Sequence, residues 1–222
     1  MKKLRTMLVI LLMSIATTPA MSSSDNHAGM YLAVEAATNG AAMNGSGTNS
    51  NGEITNGTIG EVFESVGLHV GYLFPASDTF LIGLDVTLMP GDGTIKLDAG
   101  AGDDNERGPS GTDDITIDFG DVITGSIVPT FAVTDNSAIY GKYGISRAGL
   151  SWAGNVDTTL NSYVDGETYA IGTRTQFDNG AFLQTEFGYS DFDTINVSVT
   201  SGGTGKANPE RVYGAFALGV RF

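Results

Sequence analysis

ERVYGAFALGVRF, residues 210–222, alternates between two kinds of side chain. The even positions from Val212 to Phe222 carry glycine or a large apolar residue, whereas the odd positions include Arg211, Tyr213 and small residues. A period of two predicts a β-strand with one apolar face. Such a face either packs under a second sheet or belongs to a sheet that closes into a barrel within a membrane. The rest of the chain decides between these two folds.

The first twenty residues, MKKLRTMLVILLMSIATTPA, have the pattern of a secretory signal peptide. Cationic side chains precede an apolar run from Met7 to Ala16, and small residues follow, which predicts cleavage after Ala20. The apolar run is too short for a membrane anchor, because a spanning helix needs roughly 20 apolar residues. Since no later segment approaches that length, a mature chain that lies in a membrane must cross it as a closed barrel.

The composition excludes several classes of function. The net charge is −14, and removal of the three cations in residues 1–20 takes it to −17. A strongly acidic chain argues against nucleic-acid binding, which requires clustered Lys and Arg. The chain has no Cys, so it can form neither disulfides nor thiolate metal sites. Abundant glycine and aromatic residues with few cations are typical of a small barrel with a crowded interior.

Eight extended segments follow a lead-in, residues 21–28, that is predicted to be mobile. The connections between the segments are alternately long and short, as in outer-membrane barrels with external loops and tight periplasmic turns. The pattern therefore predicts an all-β chain, with residues 29–222 forming a transmembrane eight-stranded antiparallel up-and-down β-barrel. The predicted strands are 29–38, 59–74, 80–88, 115–133, 138–150, 168–177, 181–199 and 210–222.

Aromatic residues supply an independent test of the barrel. Five phenylalanines lie within a few residues of a short turn or of the last residue, and each has the lipid-facing parity of its strand. Barrels carry an aromatic girdle where the lipid headgroups begin, whereas the aromatic residues of a soluble sandwich lie more often in mid-strand. The predicted periplasmic girdle consists of Phe74, Phe80, Phe131, Phe177 and Phe222.

Two short stretches resemble a known family. TDNSAIYGKYG at residues 134–144 and GYSDFDTI at residues 188–195 are similar to the OmpA-like outer-membrane β-barrel family. The resemblance implies an eight-stranded barrel with a small or absent channel. The sequence departs from the multidomain members, which carry a periplasmic segment that grips peptidoglycan, so a cell-wall tethering role is not expected. The last strand also resembles the C-terminal signal read by the outer-membrane assembly machinery, which implies recognition of Tyr213, Phe216, Leu218, Val220 and Phe222.

Six ionisable side chains have the inward parity of their strands. Unpaired charges cost several kcal/mol each in an interior with barely room for side chains. We therefore expect one paired layer, in which Lys142 and Arg174 bridge Glu186, Asp85 and Glu35. Such a layer is either a plug that fills the barrel or a gated, narrow ion path. Its predicted members are Glu35, His69, Asp85, Lys142, Arg174 and Glu186.

Other motifs carry weaker predictions. His69 invites comparison with lipid-modifying or proteolytic barrels, whose sites need a nucleophile and a carboxylate near the outer rim. Because His69 lies near the periplasmic end, we expect an interior histidine and no enzyme. The acidic excursion 91–114 contains calcium-type ligands without a recognised spacing, and we expect a solvated loop. Residues 201–207 lack the spacing of a phosphate-binding loop. No catalytic residue, cofactor site or metal site is predicted.

The sequence as a whole predicts a monomeric barrel in the outer membrane of a Gram-negative bacterium. Its expected partners are outer-membrane lipid, lipopolysaccharide and the assembly machinery. The expected role is structural or surface-interactive, in membrane integrity or adhesion, through four external loops. The alternatives are a narrow pore for small solutes or ions and, less favoured, a lipid-active enzyme. A wide pore is excluded, because open aqueous channels have about 16 to 18 strands.

Overall fold

The computed structural model describes residues 24–48, 54–91, 93–97, 115–153, 163–198 and 204–222. The predicted signal peptide, most of the acidic excursion and part of the Gly-rich stretch before the last strand lie outside these residues. A 3₁₀ turn, Ser24–Asn26, precedes ten strands. The strands are Gly29–Thr48 (β1), Ile54–Pro75 (β2), Phe80–Met89 (β3), Gly93–Leu97 (β4), Ile115–Ala132 (β5), Ser137–Ala153 (β6), Tyr163–Gln176 (β7), Ala181–Phe192 (β8), Ile195–Ser198 (β9) and Thr204–Arg221 (β10).

These ten strands form the eight walls of one closed barrel. Strands β3 and β4 both pair with β5, and β8 and β9 both pair with β10, so each of these couples makes a single wall that is interrupted once. All pairs are antiparallel, and β1 pairs with both β2 and β10, which closes the sheet. The prediction of an eight-stranded antiparallel barrel is confirmed.

The strands are staggered by a fixed amount around the barrel. The cross-strand partners of Val62 on β2 can be followed once around all eight walls, and the path returns to β2 at Tyr72, ten residues further along the same strand. A stagger of this kind tilts the strands against the barrel axis. Residues at the same height along the barrel axis therefore lie at different distances from the ends of their strands.

The inner and outer faces of the barrel sheet have opposite polarity. Small and polar side chains point inward, whereas large apolar side chains point outward and stay exposed, as Phe216 and Leu218 do at 66% and 67%. Apolar residues facing outward on every wall fit a hydrocarbon environment, in which each backbone polar group must be paired within the closed sheet. No helix in the described part of the chain is long and apolar enough to cross a membrane.

Several strands extend further than predicted. Residues 39–58 and 200–208 are rich in Gly, Asn, Thr and Ser and were expected to be loops, but β1 runs to Thr48 and β10 begins at Thr204. Because β1 pairs with a neighbour on both sides over this length, ladder hydrogen bonds outweigh the poor strand propensity of these residues. The first external connection is therefore shorter than the sequence indicated.

The end of the lead-in is packed against the barrel. Ser24 and His27 are buried, and the Ser24 amide donates a hydrogen bond to the Asp78 carbonyl oxygen at 2.6 Å. The sequence predicted a mobile segment here, and the structure shows residues 24–28 docked on the barrel. A polar composition suggested mobility, but the short periplasmic turns supply the partners that these residues need.

Candidate functional site

Lys142 lies at the centre of the charged interior. Its Nζ atom is 3.3 Å from Asp85 Oδ1 and 3.0 Å from Glu186 Oε2, and all three side chains are at least 97% buried. These residues come from β6, β3 and β8, which are not neighbours in the wall, so the contacts cross the barrel lumen. A buried ammonium between two carboxylates has its charge compensated by direct partners.

Three tyrosines complete the shells of the two carboxylates. Tyr31 donates to Asp85 Oδ2 at 2.7 Å, while Tyr140 and Tyr213 donate to the two oxygens of Glu186 at 2.8 and 2.6 Å. Phenol donors supply the hydrogen bonds that a buried carboxylate otherwise loses on leaving water. The sequence interpretation did not include these tyrosines in the charged layer, although Tyr213 appeared in the assembly signal.

Each of these tyrosines lies against a glycine on the next strand. The direct cross-strand partners of Tyr31, Tyr140 and Tyr213 are Gly71, Gly172 and Gly188. A Cβ atom added at any of the three glycines would lie within 2.4 Å of the tyrosine ring or hydroxyl. The missing side chains therefore give the rings room to lie along the wall and to reach the centre of the lumen. An inward glycine opposite an inward tyrosine is a signal that the sequence contained.

His69 links Glu35 to this layer. Its Nε2 atom is 2.8 Å from Glu35 Oε2, and its Nδ1 atom is 3.1 Å from Thr87 Oγ1 and 3.4 Å from Asp85 Oδ1. The ring is 1% exposed. His69 is thus a buried interior histidine held by three groups, as the sequence led us to expect. In the described residues no group of three or more metal-type ligands is positioned to hold a metal ion.

Arg174 does not bridge carboxylates as predicted. Its Nε and Nη2 atoms donate to Gln184 Oε1 at 3.2 and 2.8 Å, and the guanidinium carbon lies 4.2 Å from the centre of the Tyr31 ring and 4.5 Å from that of Phe182. The stagger of the strands places this side chain below the charged layer, at the periplasmic end. It is stabilised there by aromatic faces and an amide, which are known alternatives to an ion pair for arginine.

Arg211 is a third interior cation, and the sequence interpretation left it out of the charged layer. It is 8% exposed, its guanidinium carbon lies 4.5 Å from the centre of the Tyr213 ring, and Nη1 lies 3.3 Å from Met89 Sδ. Its buried Nε atom has no hydrogen-bond partner in the described part of the chain. The alternation of β10 had placed this residue inward, but no inward carboxylate stood beside it in sequence to suggest a charged layer.

A row of hydroxyl groups crosses four neighbouring walls. Thr124 and Ser146 are joined at 2.7 Å, Ser146 and Thr168 at 2.5 Å, and Thr168 and Ser190 at 2.8 Å. All four side chains are buried. Hydroxyl groups both donate and accept, so the row satisfies its own polar atoms without charge. It occupies the side of the lumen opposite β1 and β2.

Apolar side chains fill the lumen above and below the charged layer. The periplasmic cluster consists of Tyr31, Ala33, Leu73, Leu81, Ala132, Phe182 and Ala217. The external cluster consists of Ala41, Met43, Met89, Val122, Ala148, Leu150, Val164, Phe192, Ile195 and Ala207. Two small cavities of about 10 Å³ each lie beside Arg211, one lined by residues of the external cluster and the other by residues of the charged layer. That volume is about the space of a single water molecule.

The outer surface has two boundaries. The predicted girdle residues lie at the periplasmic end, where Phe80 pairs with Phe131 and where Phe74, Phe177 and Phe222 are 49%, 50% and 74% exposed. Of the predicted assembly signal, Phe216, Leu218, Val220 and Phe222 point outward, whereas Tyr213 lies in the lumen. Charged side chains reach the outer surface only towards the external end in the described strands. They include Glu64, Asp118, Asp121, Arg147, Asp165, Glu167, Asp191, Lys206 and Glu210.

Comparison with solved structures identifies the architecture. The outer-membrane protein AlkL, in lipid bilayers, aligns with 93% of this chain and 94% of its own at 13% identity and a TM-score of 0.51. OprG from Pseudomonas aeruginosa aligns with 88% of this chain and 97% of its own at 13% identity and a TM-score of 0.50. The fold is that of a small outer-membrane β-barrel.

At this level of identity the likeness concerns the fold alone. Neisserial surface protein A also aligns, with 87% of this chain and 97% of its own, at 14% identity and a TM-score of 0.43. No family model matches the chain, so the resemblance to the OmpA-like family stays a prediction. No curated protein matches it either.

Proposed function

We propose that this protein is a closed outer-membrane barrel that acts through its external surface and does not conduct solutes. The observation that carries the proposal is the filled lumen, in which Lys142, Asp85 and Glu186 form a paired layer between two apolar clusters. An ion that crossed this layer would displace charges that are already compensated by direct partners. The barrel then serves as a rigid base for the external connections, in membrane integrity or adhesion.

The charge distribution on the outer surface supports an orientation in which the long connections face the external medium. The apolar band is free of outward charge over its described length and ends in a belt of carboxylates on β2, β5, β7, β8 and β10. On β6 the belt carries Arg147, whose Nε and Nη2 atoms donate to Asp165 at 2.7 and 3.0 Å. Such a belt fits the headgroup level of the outer leaflet, with the long connections in the external medium.

A narrow ion path is the second candidate. It is favoured by the two cavities beside Arg211, which share Met89 and Val122 in their linings and so lie in line along the lumen. A small movement of the Arg211 side chain would join them. The paired layer below still separates them from the periplasmic side.

Planar-bilayer recordings of the mature chain separate the two candidates. We expect no conductance steps from protein whose insertion is verified by protease protection, because the lumen is filled. Steady single-channel steps would overturn the proposal in favour of the ion path. Arg211→Gly is the matched variant, because it enlarges the space between the two cavities. It opens only the external half of the lumen, so we expect no conductance from this variant either.

A second experiment tests the surface role. Leu97 pairs with Ile115, so a short Asn-Gly turn can replace residues 98–114 without changing the wall. Cells carrying this variant are expected to lose adherence to coated surfaces or resistance to a membrane-impermeant dye. A variant with the same residues in scrambled order is the control for charge and length. Equal behaviour of all three proteins in both assays contradicts the surface role.

A further inference from the structure

The segment before β1 lies across the periplasmic mouth of the barrel. It is attached at both ends, by the hydrogen bond from the Ser24 amide to Asp78 in the β2–β3 turn and by Arg221 Nη1, which donates to the Ala28 carbonyl oxygen at 2.8 Å. Ala28 also packs against the periplasmic apolar cluster. Few contacts hold this segment in comparison with a wall strand, so it belongs to the part of the molecule that can open locally.

His27 is the innermost residue of this segment. Its side chain is fully buried, and Nε2 lies 3.0 Å from the carbonyl oxygen of Thr134, in the β5–β6 turn. A carbonyl oxygen only accepts, so Nε2 must carry the hydrogen. The Nδ1 atom is buried and has no hydrogen-bond partner among the described residues. This geometry fits a neutral ring, because a second hydrogen on Nδ1 would be a charged donor without an acceptor.

The two guanidinium groups near His27 also favour the neutral ring. Arg174 on β7 and Arg221 on β10 face the ring, and Asp135 in the β5–β6 turn is the opposing carboxylate. Asp78 in the β2–β3 turn and the segment's own Asp25 are the other ionisable groups close to the segment. Burial, followed by the two guanidinium groups, lowers the pKa of His27 below its ordinary value of 6.5, against the opposing effects of the Thr134 carbonyl and Asp135.

We propose that residues 24–28 form an acid-releasable plug of the periplasmic mouth and that protonation of His27 is the trigger. The docked segment favours the neutral ring, whereas a released segment in water has an ordinary histidine. Docking is therefore strongest above pH 6.5 and weakens as the pH falls below that value. Each unit by which the docked pKa lies below the released one weakens docking tenfold over this range. Release would expose Arg174 and the apolar cluster to the periplasm.

A single nitroxide label measures the release directly. The chain has no cysteine, so Asp25→Cys, at an exposed position of the plug, gives one labelling site in the full mature chain. In lipid nanodiscs we expect a slow, immobilised spectrum at pH 7.5 and a mobile component that becomes the larger one at pH 5. A label at Asp178→Cys, in the β7–β8 turn, is the control for general effects of acid and is expected not to change.

Two substitutions in the labelled chain assign the effect to His27. His27→Gln keeps an amide donor for the Thr134 carbonyl and cannot titrate, so its spectrum is expected to stay immobilised at both pH values. His27→Lys is expected to be mobile at both. If the wild-type spectrum is the same at both pH values, or if His27→Gln changes as the wild type does, the trigger is wrong. Ring ¹⁵N shifts of a neutral Nε2–H tautomer at pH 7.5 are a further requirement. None of these results depends on whether the barrel conducts.

Discussion

Two cations in the lumen, Lys142 and Arg211, illustrate different ways of burying charge. Lys142 has two carboxylates within 3.3 Å, and each carboxylate is further bonded to tyrosine. Arg211 contacts a thioether and an aromatic ring, with one nitrogen unpaired. Removing one partner of a buried ion pair leaves an uncompensated charge, whereas removing a cation without direct partners relieves a desolvation cost. The two residues should therefore contribute very differently to stability.

The largest effect is expected for Lys142→Ala. Asp85 and Glu186 would face each other across the lumen without a cation between them, and the expected loss in unfolding free energy is about 3–5 kcal/mol. Guanidinium titration of the barrel in lipid vesicles measures this loss. Lys206→Ala, at an exposed external position, is the matched control and should change the free energy by less than about 0.5 kcal/mol. A loss of similar size in both variants would contradict the central place of Lys142.

A smaller effect is expected for Gly188→Ala, which disturbs the tyrosine that lies between the two cations. The new Cβ atom would lie 2.3 Å from the Tyr213 ring, and this ring cannot move without leaving Glu186 or Arg211. Overpacking of this kind costs about 1–3 kcal/mol. Gly125→Ala is the control, because nothing lies within 4 Å of its added Cβ atom. The same titration should separate the two, and equal stability of the variants would show that Tyr213 is free to shift.

The smallest effect is expected for Arg211→Met. A methionine of similar length fits beside Met89, Val122 and Ala41 and removes an incompletely bonded charge. Replacing a poorly paired buried ion by an apolar residue is often neutral or stabilising, so the expected change is within about 1 kcal/mol or in the direction of greater stability. If this variant loses as much as Lys142→Ala, then Arg211 neutralises Glu35 or Glu186 at long range and belongs to the charged layer.

The sequence was sufficient to predict which side chains face the lumen and which face outward, but not which side chains meet in the lumen. Alternation alone assigned Glu35, His69, Asp85, Lys142 and Glu186 to the interior, and all five are buried and connected in the structure. Arg174 is also buried, but the expectation that it bridges carboxylates in one layer with them was wrong. Alternation shows on which face of the sheet a side chain lies, but not its height along the barrel axis. That height depends on how far each strand is shifted against its neighbour.

Local composition misled the prediction where tertiary partners supplied the stabilisation. Residues 39–48 have poor strand propensity, and 24–28 look like a mobile end, yet the first are paired on both sides and the second are held by the periplasmic turns. In both cases the stabilising groups include residues more than fifty positions away in the chain, on β10 in the first case and in the periplasmic turns in the second. Propensity and composition do not contain that information.

By itself, the sequence determined that this chain forms eight amphipathic strands, that the outward side chains suit hydrocarbon, and that ionisable groups must share a narrow lumen, because each of these follows from the alternation along single strands. Only the tertiary structure decided which charges meet. The ten-residue stagger brings Lys142 to Asp85 and Glu186, places Arg174 beneath them on aromatic rings, and leaves Arg211 above them beside a sulfur atom. The physical reason is that closure of the sheet fixes the heights of all eight walls together, and no single strand specifies its own.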